Sequence, residues 1–220
     1  MEKAISMQTL QRLPLYLQYL KTLCADRDTN ISAKALGNAL GYGEIQVRKD
    51  LAAVSDGGKP KVGYQTAELI RDMESFLGYD NVNDAVLVGA GKLGKALLAY
   101  QGFRAYGLNI IAAFDSNDEV CGQDDSGKQI LPLSKMENLC RRMKIELGVI
   151  TVPSSEAQGV CDILISSGIR AIWNFAPTHL KVPKDIIIKN ENIAASLAVL
   201  SKSLAEKDRL LLQGDATAGL

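Results

Sequence analysis

A chain of 220 residues that is 47% hydrophobic can bury one large core or two small ones, and no apolar run reaches the roughly 18 residues of a membrane span. Lysine plus arginine and aspartate plus glutamate balance at 25 each, so net charge neither demands nor excludes a nucleic-acid partner. Four scattered cysteines (Cys24, Cys121, Cys140, Cys161), with no C-x-x-C pair and one histidine (His179), predict buried reduced thiols and no metal.

The opening MEKAISMQTLQRLP has no apolar region before a cleavage site, which predicts a cytoplasmic protein. Leu13, Leu17, Leu20 and Leu23 follow in helical spacing. Ser32 is a natural N-cap, Ala33 to Leu40 a two-turn helix, Gly41 a stop, and Glu44 to Val54 a second helix. Two short helices across a glycine-bearing turn describe a helix-turn-helix. In the second helix Ile45, Val47, Leu51 and Val54 are expected in the core, with Gln46, Arg48, Lys49 and Asp50 outside. Gln46 and Arg48 suit base edges and Lys49 a phosphate. SDGGKPKVGY then reads as the hairpin of a winged helix, with Lys59 and Lys61 at its tip. From Met1 to Tyr64 nine Lys/Arg stand against six acids, a small positive excess that permits DNA binding.

A different pattern starts at DAVLVGAGKLGKALLAYQGF, where β-branched Val86 to Val88 run into G-A-G-K-L-G and then a helix-forming segment. Gly89 suits the tight turn, Gly91 lets a pyrophosphate approach the backbone, Gly94 lets the helix pack on the strand, and the helix N-terminus offers N–H groups to phosphates. The strand LNIIAAFD ends in Asp115, 21 residues beyond Gly94, where an acid suits ribose hydroxyls and disfavours the 2′-phosphate of NADP. IELGVITVP (Ile145 to Pro153) is a further strand, SSEAQGVCDILISSG a helix capped by Ser154 or Ser155, and IRAIWNFAP another strand. Strands alternating with helices imply a parallel, doubly wound sheet whose ligand lies over the strands' carboxyl ends. Thr151, Val152, Asn174 and Phe175 are thereby candidates for the nicotinamide side.

Catalysis finds little support. His179 stands in a Pro-bracketed loop, Tyr100 lies two turns into the glycine-rich helix, and only some 45 residues follow Phe175. An NAD-dependent dehydrogenase with a helical cap would require one of those two side chains against the nicotinamide; a nucleotide-binding regulator without a DNA role would leave Arg48, Lys49 and the wing lysines without purpose.

RLPLYLQYL, QVRKDL, VGY, VGAGKLGKALLAYQGF, AAFD, ITVP, GIRAIWNFAP and VPKD, in that order over roughly residues 10–200, closely resemble the Rex family of bacterial redox-sensing repressors. The resemblance implies an α/β protein: a winged helix-turn-helix domain (1–80), a Rossmann-type NAD(H)-binding domain (81–190), a domain-swapped dimerisation helix (191–210) and a polar tail (211–220). It implies a homodimer, not an enzyme, that binds a palindromic operator in double-stranded DNA when NAD+ predominates and releases it when NADH binds. Carried over, Gly89, Ala90, Gly91, Lys92, Leu93 and Gly94 would meet the pyrophosphate, Asp115 the adenine ribose, and Thr151, Val152, Pro153, Asn174 and Phe175 the nicotinamide region, with Tyr100 on a family tyrosine implicated in sensing. Ser32, Gln46, Arg48, Lys49, Lys59 and Lys61 would face DNA. Ile193, Leu197, Leu200 and Leu204 would form the stripe of the exchanged helix.

Two departures stand out. The family's wing follows roughly G-x-F-G-x-R-G-x-G-Y, whereas this chain has lysines and no phenylalanine there, which predicts altered operator preference or affinity. Many members pair an aspartate at the start of the last helix with a first-helix arginine; the matching positions here are Asn192 and Arg12, which predicts altered coupling between nucleotide and DNA.

Overall fold

The computed structural model describes residues 5–23 and 29–217, so Cys24 lies outside the described residues. The chain divides into two compact units, residues 1–82 with 105–107, and residues 83–104 with 108–220.

In the first unit, α1 (Met7–Leu23) is followed by β1 (Asn30–Ile31), α2 (Ala33–Leu40), α3 (Glu44–Val54), β2 (Tyr64–Gln65) and α4 (Thr66–Leu77). The helix-turn-helix has the expected boundaries for the expected reasons. Ser32 Oγ accepts from the Ala35 N–H at 3.0 Å, satisfying one of the first-turn donors that a helix leaves open. At the other end Gly41 takes the left-handed conformation (φ 74°), and its N–H donates to the Gly37 carbonyl. Leu13, Tyr16, Leu17, Leu20, Leu36, Val47, Leu51, Leu69 and Met73 form one core. The wing is a tight turn: Lys59 N–H donates to Gly63 O at 2.9 Å, and β1 and β2 pair antiparallel beside it.

Two expectations for α3 fail. Ile45 is 71% exposed, because it stands on the opposite side of the first turn from Val47. Asp50 is only 4% exposed, being three residues from Val47 and next to Leu51, on the inward face. Its charge is accommodated there by partners on α1.

The second unit is a seven-stranded sheet made of β3 (Asn83–Val88), β4 (Leu108–Asp115), β5 (Gly122–Gln123), β6 (Gln129–Pro132), β7 (Leu147–Ile150), β8 (Ala171–Asn174) and β9 (Ile187–Asn190). The strand order is β5-β6-β4-β3-β7-β8-β9, parallel except for β5. Leaving out β5, this is the 3-2-1-4-5-6 order of a Rossmann sheet, with the reversal between β3 and β7. The crossovers include α5 (Lys92–Ala99), α6 (Met136–Met143) and α7 (Ser154–Ser166); α8 (Ile193–Thr217) closes the chain.

Pro153, not a serine, occupies the N-cap position of α7, and no side chain caps it: proline's fixed φ of −56° ends the preceding segment and Ser154 opens the helix. Asn192 caps α8, its Oδ1 accepting from Ala195 N–H at 2.9 Å. That helix continues to Thr217, through most of the expected tail. Cys140 and Cys161 are buried, which pushes both thiols up to about 11, whereas Cys121 is only half-buried. Among the described residues no helix is long and apolar enough to cross a membrane, and no group of three His, Cys, Asp or Glu could hold a metal.

Candidate nucleotide site and nucleic-acid face

The glycine-rich turn lies between β3 and α5, at the reversal of strand order. Gly89 adopts φ 103°, which an L side chain rarely tolerates, and a Cβ there would stand 2.9 Å from the Thr151 backbone. A Cβ on Gly94 would stand 1.9 Å from the Gly89 carbonyl oxygen, so only glycine lets α5 approach the turn. A Cβ on Gly91 would meet nothing within 4 Å, leaving open space where a phosphate would approach. No side chain caps α5, so the first-turn N–H groups of Lys92, Leu93 and Gly94 remain available to an anion.

Two side chains hold the turn. Thr151 Oγ1–H donates to Gly89 O at 2.7 Å, with Val88 O at 3.1 Å. Asp115, at the end of β4, accepts from Ala90 N–H at 2.6 Å and from Asn117 N–H at 2.9 Å. A cavity of about 230 Å³ is lined by Gly89, Gly91, Asp115, Thr151, Val152 and Pro153, so the structure brings together residues drawn from three separate sequence segments. These residues fit a dinucleotide: a helix N-terminus, glycine clearance and a terminal strand carboxylate are the groups that bind pyrophosphate and ribose.

Sequence reasoning missed Ser116, Leu133, Glu156 and Val160, which line the same cavity. Adjacency to Asp115 could have flagged Ser116, but Leu133 follows β6, a strand the sequence pattern does not mark.

Asn174, Phe175 and Tyr100 do not line this cavity. Asn174 is fully buried and spends its amide on the loop beyond β8: Nδ2 donates to Ala176 O, Thr178 O and Asn190 Oδ1, while Oδ1 accepts from Ala176 N–H. Tyr100 caps α5 at 54% exposure and begins an aromatic chain. Its ring meets Phe103 at 4.9 Å, Phe103 meets Trp173 at 5.6 Å, and Trp173 meets Phe175 at 4.6 Å. Trp173 Nε1–H donates to Glu191 at 2.9 Å, next to the start of α8.

On the first unit, a groove of about 620 Å³ is lined by Ser32, Lys34, Arg48, Lys59 and Lys61 together with Glu44. Wing and helix-turn-helix thus present four cations along one concavity, Lys34 being the one sequence reasoning missed. Arg48 pairs with Glu44 one turn earlier. Lys61 holds φ 65° at the wing tip. Gln46 and Lys49 line a second groove, between α1 and α3, with Ile5, Ser6 and Arg12.

Behind that groove Arg12 grips Asp50 with two bonds, Nε to Oδ2 at 2.8 Å and Nη2 to Oδ1 at 2.9 Å. Thr9 and Tyr16 each donate a hydroxyl to the same carboxylate at 3.0 Å. Burial alone would raise the Asp50 carboxyl, but the bonds from Arg12, Tyr16 and Thr9, with the guanidinium charge, hold it below its ordinary value. Arg12 and Asn192 are therefore each engaged within their own unit, Arg12 on Asp50 and Asn192 on its helix cap.

A family model described as putative DNA-binding protein N-terminus matches residues 4–52, and one described as CoA binding domain matches residues 80–178. The redox-sensing transcriptional repressor Rex of Porphyromonas gingivalis is 38% identical over 192 residues, covering 87% of this chain and 88% of that protein. Its namesake in Clostridium beijerinckii is 39% identical over 206 residues, covering 94% and 98%. Among solved structures, RSP in complex with β-NAD+ and operator DNA matches with a TM-score of 0.87 at 33% identity, covering 96% of this chain and 98% of that one. RSP in complex with β-NADH matches with a TM-score of 0.84 at 32% identity, covering 96% and 99%. The turn at the strand-order reversal and the winged helix-turn-helix occur in one chain whose likeness to these repressors runs almost end to end, and the chain belongs to the Rex family of redox-sensing transcriptional repressors.

Proposed function

We propose that this protein is a cytoplasmic, homodimeric repressor whose winged helices bind a palindromic operator and whose sheet unit, on binding NADH, releases it. The observation that carries the reading is the pairing, in one chain, of a glycine-rich turn braced by Asp115 and Thr151 with a helix-turn-helix lined by Lys34, Arg48, Lys59 and Lys61. Gly89 to Gly94 hold the pyrophosphate and Asp115 the adenine ribose, with Thr151, Val152 and Pro153 lining the cleft toward the nicotinamide. Tyr100 and Phe175 act through the aromatic chain that joins them, and Asn174 by fixing the loop after β8. The protein regulates rather than catalyses; the nucleotide supplies a redox-dependent charge on its ring.

The switch requires differential affinity: NADH favours the DNA-free form only by binding it more tightly than the operator-bound form. Reduction removes the positive charge of the nicotinamide, so an apolar wall near Val152 favours NADH over NAD+. Support for the dimer comes from α8, whose Ile193, Leu197, Leu200 and Leu204 are 60–67% exposed and form the kind of apolar face a second copy covers. The test is fluorescence anisotropy on a palindromic duplex from the protein's own promoter, titrated with NADH and separately with NAD+. Release by NADH where NAD+ has little effect is expected; operator binding indifferent to both nucleotides would overturn the redox reading.

A further inference from the structure

Gln46 stands in the first turn of α3, the part of a recognition helix that reaches base edges. A free glutamine amide is ambivalent: its NH2 donates and its oxygen accepts, which is why glutamine pairs with adenine, whose major-groove edge carries the acceptor N7 beside the donor N6–H2. Gln46 is not free in this sense. Its amide faces the Arg12 guanidinium, which has only donors, so the hydrogen-bond network requires the oxygen on that side. In that orientation Oε1 accepts from Arg12 Nη1 at 2.9 Å, with Nε, whose single proton goes to Asp50, 3.3 Å away, so the amide oxygen is turned toward the guanidinium. Arg12 in turn cannot turn aside, because Nε and Nη2 are held by the buried Asp50 carboxylate.

From this geometry we infer that Arg12 is a positioning residue that makes Gln46 a donor-only reader, selecting guanine over adenine at one base pair of each operator half-site. The remaining NH2 group points away from the guanidinium on an exposed side chain. Of the four bases, guanine alone offers two adjacent acceptors, N7 and O6, with no donor between them, while cytosine offers only a donor. An adenine at the same position finds the acceptor it needs for N6–H2 turned away toward Arg12 and engaged by Nη1. The buried Asp50 thus has a consequence beyond stability: through Arg12 it fixes which way a base-reading amide points.

The inference rests on the DNA-binding reading above, and one experiment separates the two. Full-length protein is used to select duplexes from a library with randomised half-sites, followed by competition binding of single-base variants. The wild type is expected to prefer guanine over adenine at one position by about tenfold. Gln46→Ala should abolish that preference while leaving preferences elsewhere in the half-site. Arg12→Lys keeps a cation beside Asp50 but lacks the fork that reaches Gln46; it should let adenine compete at that position alone, an effect that general loosening of the fold would not confine to one base pair. A Gln46-dependent position that prefers adenine in the wild type, an unchanged profile in Gln46→Ala, or an unchanged profile in Arg12→Lys with its fold intact by circular dichroism would overturn the inference. No selection of any duplex would instead remove the DNA-binding reading beneath it.

Discussion

Asp50 is a charged side chain in a core, and its environment contributes to the pH behaviour of the first unit. Its carboxyl is held below the ordinary 3.8 because Arg12, Tyr16 and Thr9 together outweigh the burial that opposes them. Folding therefore favours the ionised form, and this contribution is complete above about pH 4 and is lost as pH falls through the lower folded value. Tyr16 has the opposite sign: burial, reinforced by the adjacent carboxylate, pushes it from 10.0 up to about 12. Its contribution is complete below pH 10.0 and disappears as pH rises toward about 12. Removing the carboxylate strands the guanidinium in a largely buried place, so Asp50→Ala should destabilise the unit by about 3 kcal/mol. Urea unfolding distinguishes the units, because the single tryptophan, Trp173, belongs to the sheet. The mutation should shift the transition seen by circular dichroism, weaken the acid limb, and leave the Trp173 transition in place. Gly94→Ala puts a methyl 1.9 Å from the Gly89 carbonyl, so the turn must distort at a cost of about 1–3 kcal/mol. Energy transfer from Trp173 to NADH should disappear in this variant, while a preserved Trp173 unfolding transition would show that the sheet persists.

At the scale of elements, α8 exposes Leu197 at 61%, Leu200 at 67% and Leu204 at 60%, too regular a stripe for a helix facing water. Leu197→Glu with Leu200→Glu should convert a particle of twice 23.7 kDa into a monomer by light scattering, because two charges per helix cannot be desolvated at an apolar seam. Affinity for a palindromic operator should fall by about 100-fold, since the second half-site is no longer tethered to the first. Wild-type protein that is already monomeric would defeat the dimer. Elements of this kind are what the sequence declares well: α2 and α3 were legible because Ser32 and Gly41 are local signals, and the glycine-rich turn because strand, glycines and helix are contiguous. Length alone does not decide this: β7 and β8, four residues each, were legible inside longer apolar runs, whereas β6 (QILP) and β9 (IIKN), equally short but without such runs, were missed. Placement of a polar side chain is less legible still. Asp50 reads as an outward residue until Thr9, Arg12 and Tyr16, more than 30 positions earlier, are brought to it. Asn174 reads as a ligand for the same reason, its partners lying in the following loop and in β9.

In the whole molecule the linkage between nucleotide and operator is thermodynamic and does not depend on how the two units are connected. If NADH lowers operator affinity by some factor, saturating operator must lower NADH affinity by the same factor. A coupling of about 100-fold, near the upper end of common values, would suffice for nearly complete release at an operator held close to its dissociation constant. NADH affinity can be read from Trp173 energy transfer with and without operator, so both sides of the cycle are measurable on one sample. Coupling through a change of form has a further signature: operator affinity falls as NADH rises and then levels off, because the nucleotide-bound protein keeps a finite affinity for DNA. Direct competition would arise if NADH phosphates occupied the cations around Arg48 and Lys61, and affinity would then keep falling without a plateau. Gly94→Ala separates the two cases independently, since the glycine-rich turn is remote in sequence from those cations. A plateau in the wild type whose depth matches the operator's effect on NADH, together with release lost in Gly94→Ala, is the expected outcome. An unlimited fall that survives the mutation would place the nucleotide on the DNA face instead.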